Sequence, residues 1–370
     1  MRHLFVNRLA LALTLTYPAT IVPAACRVKV ERKVLDAVSA ILVRPKGSVE
    51  PLLRLAQADI SGVDALISSR MMSDVPTIPA LAEHLISAGG KRLRPLVAIA
   101  GARICGGRDD ACLKLATAVE FIHTATLLHD DVVDGSKLRR GKVAAHLIWG
   151  GATSVLVGDF LFARAFELMV ETGSLRVLDI LSRASSVIAE GEVLQLTRAH
   201  DLNLSQDTYL EIIKAKTAEL FAAAAEAGAV SAHAPPEQVA ALRSYGMNLG
   251  LAFQLADDVL DYGGAAETLG KNAGDDFREG KATLPLLLAI ARSGPREAAF
   301  WERAIDRLDQ TEADFRRARE LIIGTGALEA ALGRATDYAE TAKAALASLP
   351  QGDWRAALED LADFAVSRSA

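Results

Sequence analysis

Six aspartates stand inside otherwise apolar sequence, three in "LLHDDVVD" (127–134) and three in "QLADDVLD" (254–261). Each stretch has helical spacing and carries Asp at i, i+1 and i+4. Residues i and i+4 lie one turn apart on the same helix face, so Asp130 and Asp134 can reach one small object together. Asp257 and Asp261 can do the same. Ionised carboxylates are costly beside an apolar core unless something neutralises them. A fold for this chain must bury two such helices and still find their acids a counter-charge.

One acidic cluster of this kind is ordinary, as solvated helix surface or capping charge. Two copies in apolar surroundings are harder to explain that way. Their mutual repulsion is relieved by a hard divalent cation, and oxygen-only ligation favours Mg2+ over zinc. Mg2+ keeps several waters and commonly completes its shell with substrate phosphate. No His-Cys or His-Glu constellation points to another metal.

From about residue 50 the apolar spacing is helical almost throughout, as in "PLLRLAQADISGVDALISSRM" and "SVLVGDFLFARAFELMV". Alternating strand patterns are scarce, and an aromatic content of 5% is low for a sheet protein. Breaks at Gly89-Gly90, Gly106-Gly107, Gly150-Gly151, Pro235-Pro236 and Gly263-Gly264 are too evenly spread to mark a domain boundary. The expectation is one all-α domain over 49–370, of about ten or more helices.

With 41 Lys and Arg against 46 Asp and Glu, the net charge of −5 excludes a general basic field for nucleic acid. An anionic ligand must therefore be met locally. "AGGKRLRP" (88–95) places Lys91, Arg92 and Arg94 after a glycine pair, a good seat for phosphate. Arg139 and Arg140 follow the first acidic motif, Lys216-Thr217 lie in "IIKAKTAELF", and Lys271 and Lys281 bracket "GDDFREG". Each alone is ordinary surface charge. Together they fit two anionic groups, one held through Mg2+ by aspartates and one held directly by lysine and arginine.

Two diphosphates beside an apolar interior point to isoprenoid chemistry. Metal neutralises a leaving diphosphate, an allylic C–O bond breaks, a second isoprenoid attacks through its double bond, and proton loss restores an alkene. Such a reaction needs positioning, neutralised charge and a dry pocket rather than a protein nucleophile. The sequence shows no Ser-His-Asp or Cys-His arrangement that would argue otherwise.

At these residues the sequence closely resembles the trans-prenyltransferases, the polyprenyl diphosphate synthases. The matching stretches are "GGKRLRP", "FIHTATLLHDDVVD", "RRG", "VLVGDFLF", "KTAELF", "FQLADDVLDY" and "GDDFREGKATLPL", in that order. The resemblance implies an isoprenoid-synthase helical bundle around a central cavity faced by both aspartate motifs, usually a homodimer. It implies that Asp130 and Asp134 ligate Mg2+ on an allylic diphosphate, supported by Asp131, with Asp257, Asp258 and Asp261 completing the cluster. Lys91, Arg94, His123 and Arg140 would hold isopentenyl diphosphate. Arg139, Lys216, Thr217 and Gln254 would contact the allylic substrate, farnesyl or geranylgeranyl diphosphate, with Lys271 and Lys281 near its diphosphate. Taken alone, His123 in "FIHTA" reads as a core histidine and Gln254 as a helix-surface amide.

"FIHTATLLHDDVVD" looks most like long-chain members making octaprenyl to decaprenyl diphosphate for the tail of ubiquinone. Short-chain members carry a bulky aromatic about one turn below the metals, where this chain has Ala125 and Thr126. Phe121 and Ile122 come a turn deeper. Two other readings compete. A class I terpene cyclase usually lacks a second "DDVLD" and an isopentenyl site, and a non-catalytic subunit of a heteromeric synthase should have eroded aspartates.

Residues 1–48 differ from the rest. "MRHLFVNRLALALTLTYPATIVPAAC" has a basic start, an apolar run and a small-residue end, like a secretory signal. A signal, a targeting extension and translation from too early a start codon are the alternatives, and the last suits cytosolic substrates. Cys26, Cys105 and Cys112 form no CxxC pair, which fits reduced thiols and a cytoplasmic location. The later sequence is expected to contain no transmembrane segment, with loose membrane contact for product release.

Overall fold

Helical spacing becomes helix wherever the chain is described, over residues 47–87, 90–263 and 274–367 of a computed structural model. Helices α1 (Glu50–Leu55), α2 (Gln57–Arg70), α3 (Thr77–Ser87) and α4 (Leu93–Ile104) lead to the long α5 (Ala111–Val133). A hairpin of β1 (Leu138–Arg139) and β2 (Lys142–Val143) and the short α6 (Ala145–Trp149) follow. Next come α7 (Gly151–Glu171), α8 (Leu175–Thr197), α9 (Gln206–Ile213), a π-helical turn (Lys214–Ala218) and α10 (Glu219–Ser231). The longest helix, α11 (Pro236–Gly263), precedes α12 (Asp275–Arg278), α13 (Leu284–Arg292) and α14 (Pro295–Trp301). Helices α15 (Glu312–Gly324), α16 (Ala327–Ala345) and α17 (Asp353–Ser367) end the described chain.

Two apolar clusters form the core, and α11 belongs to both. Its Leu242, Tyr245 and Leu249 join the cluster built on α4, α5, α7, α8 and α10. About two to four turns on, Leu255, Val259 and Tyr262 join a second cluster with α13, α15 and α16. The alanine-rich "ELFAAAAEAGAVS" of α10 lets its neighbours approach backbone to backbone. A Cβ on Gly228 would stand 2.2 Å from the Ala98 carbonyl oxygen of α4, and one on Gly246 of α11 2.3 Å from that of Phe221. Small residues thereby bring α11 against the first turns of α10 and α4 against its later turns, which fixes where both carry their polar ends.

The expected breaks fall at helix ends: Gly106-Gly107 follow α4, Gly150-Gly151 separate α6 from α7, and Pro236 and Gly263 bound α11. Lys271 and the 1–46 part of the N-terminal extension lie outside the described residues. The β1–β2 pairing (Leu138 with Val143, Arg139 with Lys142) leaves Arg140-Gly141 as a two-residue turn. Both turn residues have positive φ, 52° and 76°, as the tightest hairpins require. Among the described residues, α5 is long and apolar enough to cross a membrane by length and composition alone. It is instead packed in the core, with 61% of the most apolar window buried.

Candidate active site

The first acidic motif ends α5, where Asp130 and Asp134 are mostly shielded, with side chains 17% and 16% exposed. Each meets a lysine from another element. Lys216 Nζ, on the π-helical turn, is 3.6 Å from Asp130 Oδ2 and 2.8 Å from Glu192 Oε2 of α8. Lys281 Nζ, after α12, is 3.0 Å from Asp134 Oδ2 and 2.6 Å from Glu279. Burial first, and then the neighbouring Asp134, raise the pKa of Asp130 against the pull of Lys216. Glu192 is raised for the same first reason. Sequence reading missed Glu192, because the Glu190 and Glu192 pair in "AEGEVLQ", two residues apart on a helix, carries no one-face spacing signal.

The middle aspartate of each motif plays a different part. One residue further along a helix is about 100° further round it, so i+1 cannot share the face of i and i+4. Asp131 is 1% exposed, and its Oδ1 accepts from Arg139 Nε at 2.9 Å and from Arg139 Nη2. Arg139, expected on the allylic substrate, thus also pairs with Asp131. Asp258 is 2% exposed and accepts from the Tyr209 hydroxyl and from Gln254 Nε2 at 2.8 Å. Gln254 Oε1 in turn accepts from Thr217 Oγ1 at 2.9 Å. This chain of hydrogen bonds ties α9, the π-helical turn and α11 together below the second motif. Tyr209 had no sequence signal either.

Asp257 is exposed, whereas Asp261 is half-buried and accepts from the backbone N–H groups of Gly274 and Asp276, each at 3.2 Å. Burial, with Asp276 next in effect, pushes its pKa up to about 8. Among the described residues, no group of three His, Cys, Asp or Glu stands close enough to hold a metal by itself. The donor set nevertheless fits a hard cation. It is carboxylate oxygen near the C-terminal ends of α5 and α11, burial raises the pKa of Asp130 and Asp261, and Mg2+ needs only one or two such ligands besides phosphate.

A second cationic region lies deeper along α5. Arg94 is enclosed between His123 and the Phe221 ring: its Nη1 is 3.1 Å from His123 Nε2, and its guanidinium carbon is 4.4 Å from the ring centre. Burial lowers the Arg94 pKa to about 10, still well above neutrality. Burial, followed by the charges of Arg94, Arg140 and Arg139, drives His123 well below the usual histidine range. His123 is therefore neutral, accepting at Nε2 with its proton on Nδ1. The Arg140 guanidinium lies against Gly90, where a Cβ would meet its Nη1 at 2.5 Å. Lys91 is exposed, with Nζ 4.4 Å from the Phe364 ring centre of α17. Arg92, grouped with these cations by sequence, turns inward to Glu120.

Ala125 is completely buried in the first core cluster, and the Thr126 hydroxyl donates to the His123 carbonyl at 2.8 Å. Thus the structure brings Asp130, Asp134, Lys216 and Lys281 together, and separately Arg94, His123 and Arg140.

Residues 75–322 match the family model described as polyprenyl synthetase. The octaprenyl diphosphate synthase of Escherichia coli (strain K12) is 46% identical over 321 residues, covering 87% of this chain and 99% of that protein. A crystal structure of a polyprenyl synthase from Caulobacter crescentus CB15, complexed with calcium and isoprenyl diphosphate, is 77% identical. It superimposes with a TM-score of 0.87 over 88% of this chain and all of that one. A decaprenyl diphosphate synthase from Rhodobacter capsulatus is 51% identical, with a TM-score of 0.84 over 87% of this chain and all of that one.

Proposed function

Since this chain belongs to the polyprenyl synthetase family and is a trans-prenyltransferase, we propose that it extends an allylic diphosphate with isopentenyl diphosphate to octaprenyl–decaprenyl length. The separation of its cations carries this reading. Lys216 and Lys281 stand at Asp130 and Asp134, while Arg94 and Arg140 gather around neutral His123. Two diphosphates can therefore be held apart with their carbon chains meeting between them.

Asp130, Asp134, Asp257 and Asp261 would hold Mg2+, which when bound neutralises the allylic diphosphate as a Lewis acid. The calcium and isoprenyl diphosphate with which the Caulobacter crescentus enzyme is complexed support a divalent cation for this chain as well. Lys216 and Lys281 place further positive charge where the leaving diphosphate takes the electron pair of the broken allylic C–O bond. Thr217 and Gln254 hold the π-helical turn that aims Lys216. Arg94, Arg140 and Lys91 anchor isopentenyl diphosphate, and His123, neutral and short of a charge to repel, fills the floor between them. The isopentenyl double bond attacks the allylic cation, and a proton leaves the adjacent carbon to restore an alkene.

Length rests on Ala125 and Thr126, small residues one turn below the acids, and on the octaprenyl and decaprenyl relatives. The product would furnish a quinone side chain, made in the cytoplasm and released through loose membrane contact. A homodimer is supported by α7, whose exposed Val155, Leu156, Phe166 and Val170 form an apolar face beside Leu147 and Ile148 of α6. A terpene cyclase and a non-catalytic subunit are disfavoured, because the relatives are chain-elongating synthases and all six aspartates are in place. Incubation with Mg2+, isopentenyl diphosphate and farnesyl diphosphate, followed by chromatography against polyprenol standards, tests the proposal. Linear octaprenyl to decaprenyl products are expected; a cyclic hydrocarbon, or silence without a partner, overturns it.

A further inference from the structure

In the middle of the apolar helix α5 stands Glu120, only 5% exposed, a position that a carboxylate occupies at a cost unless it is paired. It accepts from Arg92 Nη1, and Arg92 Nε also lies 3.5 Å from Asp64 of α2. Arg92 has φ +50°, a left-handed conformation that non-glycine residues adopt only when their surroundings hold them there. It sits at the N-terminal boundary of α4, between Lys91 and Arg94. The strained residue that sets the direction of the "GKRLR" turn is thus pinned from below by a carboxylate on α5. Arg140, the other left-handed arginine beside this site, has φ +52°, and its guanidinium lies against Gly90 at the head of the same turn. Glu120 is also the carboxylate whose field most favours the charged forms of Arg94 and Arg140 against burial.

We propose that Glu120 is a positioning residue for isopentenyl diphosphate: through its ion pair with Arg92 it holds the Lys91–Arg94 turn, and with it Arg94 and Arg140, in the diphosphate-binding arrangement. It touches no substrate itself. Arg92 is accordingly a strut rather than a phosphate ligand. The proposal rests on the assignment of Arg94, His123 and Arg140 to isopentenyl diphosphate made above.

Plain electrostatics and positioning predict opposite results for the isosteric variant Glu120→Gln. Removing a negative charge from a cationic site should tighten diphosphate binding if charge alone matters. Loss of positioning should weaken it. In the full-length enzyme with Mg2+, E120Q is expected to raise the KM for isopentenyl diphosphate about tenfold, with kcat and the KM for farnesyl diphosphate changing far less. Arg92→Gln should give the same pattern, and E120Q/R92Q should be no worse than either single variant, because both break one link. Glu120→Asp, which keeps the charge, should recover part of the affinity and stands in if E120Q does not fold. An isopentenyl KM that is unchanged or lower in E120Q overturns the proposal. So does a uniform fall in kcat with both KM values that tracks lost thermal stability. Failure of the wild type to use isopentenyl diphosphate would instead sink the functional reading.

Discussion

Lys281 Nζ lies 3.0 Å from Asp134 Oδ2, although 147 positions separate the two residues in the chain. The segment after the second acidic motif is thereby fastened to the first. Burial alone would lower the lysine's pKa, but Asp134, Glu279 and Asp276 outweigh it and raise it. Lys281 therefore stays charged wherever the enzyme works.

Lys281→Ala should cut kcat roughly 10–100-fold by removing positive charge from beside the leaving diphosphate. Its ion pair is mostly shielded, and removing the lysine leaves Asp134 without that counter-charge, so the variant should also lose roughly 1–3 kcal/mol of stability. Steady-state kinetics and a thermal melt on one preparation check both halves; full activity in a folded variant contradicts the assignment.

Asp130→Asn and Asp257→Asn should each lower turnover on the order of 10³-fold at saturating substrate while leaving the fold intact. Asp130 ionises against burial and against Asp134. D130N should accordingly melt no lower than wild type without divalent cations, and should gain less stability when Mg2+ and diphosphate are added. Calorimetric scans with and without ligand read this directly.

Acid should destabilise the protein through His123. Its pKa in the folded state lies well below 6.5, chiefly from burial and then from the surrounding arginines. The unfolded chain binds the proton first, so this contribution is intact above about pH 6.5 and is lost progressively as pH falls below it. His123→Gln keeps an acceptor for Arg94 but cannot titrate. The pH dependence of Tm from about pH 7 to about pH 5 should be shallower in the variant; identical slopes would mean that other groups control acid stability.

Ala125→Tyr should shorten the product towards farnesyl or geranylgeranyl length while isopentenyl diphosphate is still consumed. Ala125 is wholly buried, so overpacking will cost about 1–3 kcal/mol, and the melt must accompany the chromatogram. Full-length product from a well-folded variant would remove Ala125 from the path of the growing chain.

Local periodicity was enough to place Asp130 with Asp134 and Asp257 with Asp261, since a helix repeats about every 3.6 residues wherever it is packed. The same rule accounts for the all-α architecture, and the Pro and Gly breaks account for the ends of α11 at Pro236 and Gly263. No local rule could pair Asp131 with Arg139, Asp258 with Tyr209, or Glu120 with Arg92. Sequence reading had Arg139 on the allylic substrate and Arg92 among the phosphate cations, and gave neither its carboxylate partner, because a string of letters does not show which element packs against which. Burial supplies those partners: a carboxylate taken from water must find one in whatever element packs against it. Which partner it finds depends on which element is brought beside it, the β1 hairpin for Asp131, α9 for Asp258 and the turn before α4 for Glu120, and only the packed bundle contains that arrangement.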